Sequence, residues 1–395
     1  MIPQNMIAYG RNECLIRAIA ADAARRAAEL GPEHVYNFTI GNPSVPAPAC
    51  VRETIEDLLL HTDPVELHGY TPAPGDYGVR RAVAEYLNQT HGMVYPAEAI
   101  YMTSGAAACL AICLRALLLP GEEVVTLTPY FSEYRVYTEA AGGVLREVPS
   151  DPDTFQIDQA ALQSAVHSNT KVILLNSPNN PSGVVLREDS LRTLCDFLRE
   201  KEAEYGHSIY LLSDEPYRDL TYDGVTVPYL PKLYRDTLVC NSFSKSLTLP
   251  GERIGFIAVS NEMPDYEEVN AAVGGAGRAL GYICASSLFQ RVVARCLGRT
   301  ADTSVYQQNR DLLYHALPEM GYRCVRPDGA FYLFVRTPEP DAVAFCQRAK
   351  EYELFLVPGD DFGCPGYVRL AYCVATDMIA RSLPAFRALA ASYGL

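Results

Sequence analysis

Lysine is scarce in this chain and tryptophan is absent. Of 33 basic residues in 395, five are lysines, Lys171, Lys201, Lys232, Lys245 and Lys350, and the other 28 are arginines. Twelve cysteines are present, yet none has C-x-x-C spacing and the seven histidines form no cluster at ligand spacing, so no metal site is expected. The cysteines are expected to be reduced core thiols, Cys109 and Cys113 sharing a helix face without further partners. The sequence opens without a charged segment leading into a short apolar one, and no apolar run reaches membrane-spanning length. The expected compartment is therefore the cytoplasm, with no membrane partner. A net charge of −14 argues against nucleic acid, whose phosphates would be repelled.

What is present is apolar and alternating. With 49% hydrophobic residues the chain exceeds one small core and fits two domains, predicted as 45–285 and as 1–44 together with 286–395. An amphipathic helix is expected over 12–30, a short strand over 36–40, then the Gly/Pro-rich loop 41–48, and a helix over 79–87. From residue 99 strands (99–103, 123–128, 144–148, 171–176, 208–213) alternate with helices (106–118, 133–141, 158–167, 188–205). Such alternation means βαβ units and an α/β fold with a mostly parallel sheet. From about residue 285 a smaller α+β unit is expected, with helices over 290–297, 305–317 and 342–352 and strands over 329–335, 354–357 and 367–372.

In a parallel sheet ligands collect beyond the carboxyl ends of the strands. Each predicted strand end here is followed by suitable chemistry: Ser104-Gly-Ala-Ala, whose N–H groups can cradle a phosphate at a helix N-terminus; Pro129-Tyr-Phe131; Asn176-Ser-Pro-Asn-Asn-Pro-Ser-Gly183; and Ser213-Asp-Glu-Pro-Tyr217. A fifth end carries Ser242-Phe-Ser-Lys245, between the apolar runs LVC and IGFIAV, with Arg253 eight residues on. A lysine acts as an amine nucleophile near neutral pH only when burial or a neighbouring cation depresses its pKa, and Arg253 could supply that cation. Arg253 with Ser242 and Ser244 also makes a phosphate clamp. Amine plus clamp suggests pyridoxal phosphate.

The set Ser242, Ser244, Lys245, Gly251, Arg253 and Gly255 resembles the lysine signature of the fold-type I, pyridoxal-phosphate-dependent aminotransferases of the aspartate aminotransferase superfamily (class I/II). N-S-P-N-N-P-S-G and S-D-E-P-Y resemble two further signatures, in the family's order. The resemblance implies a large domain with a seven-stranded sheet and a smaller α+β domain. It implies that Asp214 binds the pyridine nitrogen, that Asn180 and Tyr217 hydrogen-bond the ring oxygen, and that Ser104, Gly105 and Ala106 cradle the phosphate. Phe131 would stack on the ring where close relatives often carry tryptophan, with Tyr130 as the alternative. Gly41 would pass the substrate carboxylate, its loop otherwise being a simple linker. Arg369 would clamp that carboxylate in place of a strand-edge ion pair, and Asn180 would also touch substrate. Tyr70, in a Y-x-P-x-x-G segment, would reach the cofactor phosphate of a neighbouring subunit. That reading makes the protein a homodimer with shared sites; otherwise Tyr70 is packing.

The implied activity is transfer of an amino group from an L-amino acid, of aspartate or alanine type, to a 2-oxo acid by ping-pong chemistry, with Lys245, Asp214 and Tyr217 as catalytic residues. Rivals on the same scaffold are β-elimination from a sulfur amino acid and decarboxylation. A pyridoxal-phosphate-binding regulator would need a DNA-binding domain that the sequence does not show before residue 36. A dicarboxylic donor requires a second cation. Arg278, in Gly274-Gly-Ala-Gly-Arg-Ala-Leu-Gly281, is the candidate, set against a solvated arginine beside a flexible loop.

Overall fold

The computed structural model describes residues 2–11 and 15–395. Its central feature is a seven-stranded sheet whose spatial order is Ile100–Thr103, Gly255–Val259, Thr237–Ser242, Tyr210–Asp214, Thr170–Asn176, Glu123–Thr128 and Val144–Pro149. Gly255–Val259 runs antiparallel to both neighbours; the other pairings are parallel. The central strands are apolar on both faces because both are covered. Val124, Leu174 and Leu212 pack under the helices Ala106–Leu117 and Tyr266–Leu280, while their neighbours Val125, Ile173 and Leu211 pack on Gln159–Ala165 and Glu188–Tyr205. On that second side Met102, Val239 and Phe256 meet the helices Ala49–His61, Tyr77–His91 and Ser287–Arg295.

A second core gathers beneath a four-stranded sheet of order Val357–Pro358, Tyr367–Ala371, Tyr332–Arg336 and Arg323–Cys324, with the helices Ser304–Glu319, Ala342–Lys350 and Thr376–Ser392. Phe38 enters this core from the N-terminal segment, and Tyr217, Leu220 and Tyr222 enter it from the segment that follows strand Tyr210–Asp214. The two regions therefore share one seam, which lies where the parallel strands end.

Several predicted boundaries differ. The helix expected over 12–30 is described from Leu15 to Leu30, residues 12–14 lying outside the described residues, and Gln4–Arg11 is helical as well. Of the strand expected over 36–40, Tyr36–Asn37 forms a ladder with Leu354–Phe355 and Phe38 extends it by a hydrogen bond to the Phe355 carbonyl, and the segment predicted as one strand over 354–357 is split between two sheets. The strand placed at 329–335 is Tyr332–Arg336. The loop expected around Gly274–Gly281 is helical, ending in Gly281 with φ +77. Its Gly277 is required by close approach: a Cβ there would lie 2.3 Å from the Tyr101 hydroxyl. The eleven described cysteines are free thiols, and Cys113 does have a neighbour, the Cys240 sulfur at 3.8 Å. No described helix is long and apolar enough to cross a membrane.

Candidate active site

Strand Thr237–Ser242 runs straight into a four-residue helix, Phe243–Ser246, which lifts the Lys245 side chain off the sheet's carboxyl edge. Its Nζ donates to the Gly41 carbonyl at 2.8 Å and stands 5.3 Å over the Phe331 ring and 5.9 Å over that of Tyr217. Burial among these groups lowers the ammonium pKa to about 8, with smaller contributions in the same direction from Arg253 and Arg369. Of the two causes the sequence offered, burial and the Arg253 charge, burial is the larger.

Arg253 itself holds φ +52, a left-handed conformation that costs a side-chain-bearing residue roughly 1–2 kcal/mol. Its Nη1 donates to the Pro250 carbonyl at 2.9 Å and approaches the Ser244 hydroxyl at 3.4 Å. Its Nη2 lies against Gly105, at φ +87, where a Cβ would come within 2.6 Å of that nitrogen. Gly255 presses on the same point, since a Cβ there would meet the Gly105 Cα at 3.1 Å. The outcome is a cradle formed by a guanidinium, Ser242, Ser244 and the start of helix Ala106–Leu117, whose first N–H groups have no acceptor within the helix.

At the floor, strand Tyr210–Asp214 ends on Asp214, 4% exposed. One carboxylate oxygen accepts from the Tyr134 hydroxyl at 2.5 Å; the other is buried with no partner. Burial pushes this carboxyl up to about 7, against the Tyr134 hydrogen bond, while Glu215 adds to the rise. Tyr134 also meets Phe131 edge to face, centroids 5.8 Å apart, so one tyrosine orders both residues. Asn176 Nδ2 donates to the Asp214 carbonyl at 2.8 Å, and its Oδ1 accepts from the Asn180 N–H at 2.7 Å.

The opposite wall is built on Arg369, 2% exposed, from strand Tyr367–Ala371. Its Nη1 donates to Asn180 Oδ1 at 3.0 Å and its Nη2 to the Thr39 carbonyl at 2.6 Å, while its buried Nε has no partner. The guanidinium lies between the rings of Tyr332, at 4.7 Å, and Phe362, at 5.0 Å, which fix its plane. The Tyr332 hydroxyl is 2.9 Å from that of Tyr217 and fills the space beside Gly41, where a Cβ would meet it at 2.0 Å.

These groups surround one cavity of about 290 Å³. Of the predicted residues, Gly41, Ala106, Phe131, Asn180, Asp214, Tyr217, Ser242, Ser244, Lys245, Arg253 and Arg369 line it. Gly105 sits behind the cradle, and Ser104 is not part of the lining. Tyr130 turns away to hydrogen-bond Glu147, leaving Phe131 as the aromatic wall. Tyr70 is 99% exposed and Arg278 is exposed at the end of Tyr266–Leu280; neither lines the cavity of its own chain. The sequence reasoning missed Tyr134, Tyr332, and Ile16 with Ile40, which complete the lining or support it.

A family model, aminotransferase class I and II, matches residues 33–385. The chain belongs to the class I and II aminotransferases. It is 30% identical over 378 residues to a probable aspartate/prephenate aminotransferase of Thermus aquaticus, covering 94% of each chain. Among solved structures, an amino transferase from Eubacterium rectale is 49% identical, with a TM-score of 0.98 and full coverage of both chains. The aspartate aminotransferase of Thermus thermophilus with maleate is 27% identical, with a TM-score of 0.86 over 98% of this chain and 99% of that one.

Aminotransferases of this family in general depend on pyridoxal phosphate. The residues of this one fit that group in three places. The unpartnered Asp214 oxygen suits a protonated ring nitrogen, the cradle at Gly105 and Arg253 suits a dianion, and the partly neutral Lys245 amine suits a carbonyl.

Proposed function

We propose that this aminotransferase binds pyridoxal phosphate through Lys245 and exchanges amino groups between an L-amino acid and a 2-oxo acid in two half-reactions. The observation that carries the reading is the buried Asp214 carboxylate, one oxygen of which has no partner, in the lining of the cavity that Lys245 and Arg369 also line. When bound, the cofactor supplies an electron sink that acidifies the substrate Cα–H. The remaining work belongs to the protein. Asp214 holds a positive charge at the ring nitrogen. Asn180 and Tyr217 donate hydrogen bonds toward the ring oxygen, and Phe131 covers one face. Gly105, Ala106, Ser242, Ser244 and Arg253 hold the phosphate. Arg369, its guanidinium held in orientation by the rings of Tyr332 and Phe362, takes the substrate carboxylate beside Gly41. With the cofactor bound, Lys245 would take the Cα proton as general base and return it as general acid, a role its pKa of about 8 suits.

The reading extends to a homodimer. Tyr70, with Tyr282 and Ile283, is exposed on one surface, where the Cys284 N–H donates to the Ala73 carbonyl. A fully exposed tyrosine among apolar neighbours suits a hydroxyl delivered to a second subunit's phosphate. The division into 45–285 and the two flanking segments belongs to the same proposal. Of the aspartate and alanine donor types, the lining favours the neutral one. Its cations among the described residues are Lys245, Arg253 and Arg369, and each already has a task.

The test is borohydride reduction of the cofactor-loaded protein followed by peptide mapping. Label on Lys245 is expected; label on Lys171, Lys201, Lys232 or Lys350 refutes the assignment.

A further inference from the structure

Tyr217 and Tyr332 meet in the wall of the cavity, both buried, with their hydroxyl oxygens 2.9 Å apart. Neither hydroxyl has another hydrogen-bond partner among the described residues. Two hydroxyls carry two protons, and a single contact uses one of them. The direction of the bond therefore decides which tyrosine keeps a proton for a ligand. The surroundings set that direction. Tyr332 sits on the strand beside Arg369, two residues from Phe334, its register partner, and its ring lies 4.7 Å from the guanidinium carbon. Burial raises the pKa of both hydroxyls. The Arg369 charge is the largest influence opposing that rise at Tyr332, which ends at about 12, whereas Tyr332 itself pushes Tyr217 further up. A cation beside a hydroxyl makes it the better donor of a pair. The Tyr332 oxygen is also pressed against Gly41, where a Cβ would lie 2.0 Å from it, so the acceptor within its reach is Tyr217.

We infer that Tyr332 is a positioning residue: its hydroxyl donates to Tyr217, which leaves the Tyr217 proton for the negatively charged ring oxygen of the cofactor and makes Tyr217 the stronger donor. The inference rests on the cofactor reading above. Its physical basis is cooperativity, since a hydroxyl that accepts one hydrogen bond gives its own more strongly, by roughly 10–30%. The opposite polarity would commit the Tyr217 proton to Tyr332 and turn a lone pair toward the ring oxygen. Tyr332 thus acts through Tyr217 and not on the reacting atoms.

The experiment is a pH titration of cofactor absorbance in the loaded protein, which reads protonation of the linkage between Lys245 and the cofactor. It is run on wild type, Tyr332→Phe, Tyr217→Phe and the double variant. A hydrogen bond to the ring oxygen favours the unprotonated linkage, in which that oxygen has no internal N–H to share its charge, so a weaker donor raises the pKa of the linkage. Tyr217→Phe should raise it by roughly one to two pH units, the worth of one charge-assisted hydrogen bond. Tyr332→Phe should raise it by about 0.2–0.6 of a pH unit, the share that cooperativity supplies. Added to Tyr217→Phe, the second substitution should change nothing, because its route to the cofactor is gone. Tyr332→Phe should keep wild-type cofactor content and melting temperature, since the ring that supports Arg369 is retained. A lowered pKa in Tyr332→Phe would overturn the inference, because Tyr217 would then have been donating to Tyr332. So would an unchanged pKa, or a shift that persists at full size in the double variant. Cofactor found on another lysine after borohydride reduction would mean that the cofactor reading itself has failed, and this inference with it; a titrating linkage on Lys245 without the Tyr332 shift rejects this inference alone.

Discussion

Two buried charges in this protein are held in opposite ways. Arg310 is fully buried, and each edge of its guanidinium is met: Nη1 donates to Asp223 and to the Pro327 carbonyl, Nε and Nη2 to Asp311, and the Tyr222 ring lies 4.7 Å away. Asp214 is nearly as deep, yet only one of its oxygens is met. A buried charge whose valences are all filled serves the fold, since breaking it would strand its partners. One left half filled costs stability and persists where a ligand completes it. Arg369, with its orphaned Nε beside two satisfied amino groups, falls in the second class.

Substitutions on the two sides of this contrast should separate activity from stability. The largest effect is expected for Lys245→Ala, which removes both nucleophile and proton carrier. Turnover should fall about 10²–10⁴-fold or more by steady-state assay, while the clamped cofactor is retained by dialysis. Asp214→Asn keeps the shape and removes the charge, so turnover should drop roughly 10²–10³-fold and exceed the loss in cofactor affinity. Arg310→Met should do the reverse. Denaturant titration is expected to show about 3 kcal/mol lost, at the low end for a broken buried pair because Asp223 and Asp311 are partly exposed, with the cofactor spectrum unchanged. Smaller still, Tyr70→Phe should weaken cofactor binding by roughly 1.5–3 kcal/mol, one charge-assisted hydrogen bond. Mixing a severely impaired Tyr70 variant with Lys245→Ala subunits should restore part of the activity if sites are shared; none after proven subunit exchange would remove the shared-site dimer.

The sequence carried the parallel sheet and its five loaded strand ends because both leave local marks, apolar runs ending in Gly, Asn, Asp or Ser. Strand Glu123–Thr128 and helix Glu188–Tyr205 appear with the predicted bounds. What it did not carry depends on packing between distant segments. Gly274 and Gly275 read as loop, yet the helix around them is held by Gly277 against Tyr101. Tyr134 and Tyr332 were two among 26 tyrosines until the fold brought their hydroxyls to Asp214 and Tyr217. Helix periodicity could mark Ile16 as apolar, but not that it faces a cavity whose other lining residues run from Ile40 to Arg369.

The central claim, that Asp214 is held unfilled for a cation, is tested most directly by the pH dependence of stability in the cofactor-free protein. A carboxyl whose pKa rises from 3.8 unfolded to about 7 folded contributes stability that is present below pH 4 and lost as pH climbs through 7. The contribution of Lys245, lowered to about 8, is lost only as pH falls from 10.5 toward 8 and so lies outside that window. Denaturant unfolding of wild type and Asp214→Asn at pH 5 and pH 7.5 isolates the difference. The account predicts that the asparagine variant gains on wild type between these pH values, by about 2–3 kcal/mol because an unfolded carboxyl is already mostly ionised at pH 5, and that pyridoxal phosphate narrows the gap by stabilising wild type more. A stability difference that is the same at both pH values, with or without the cofactor, would contradict it.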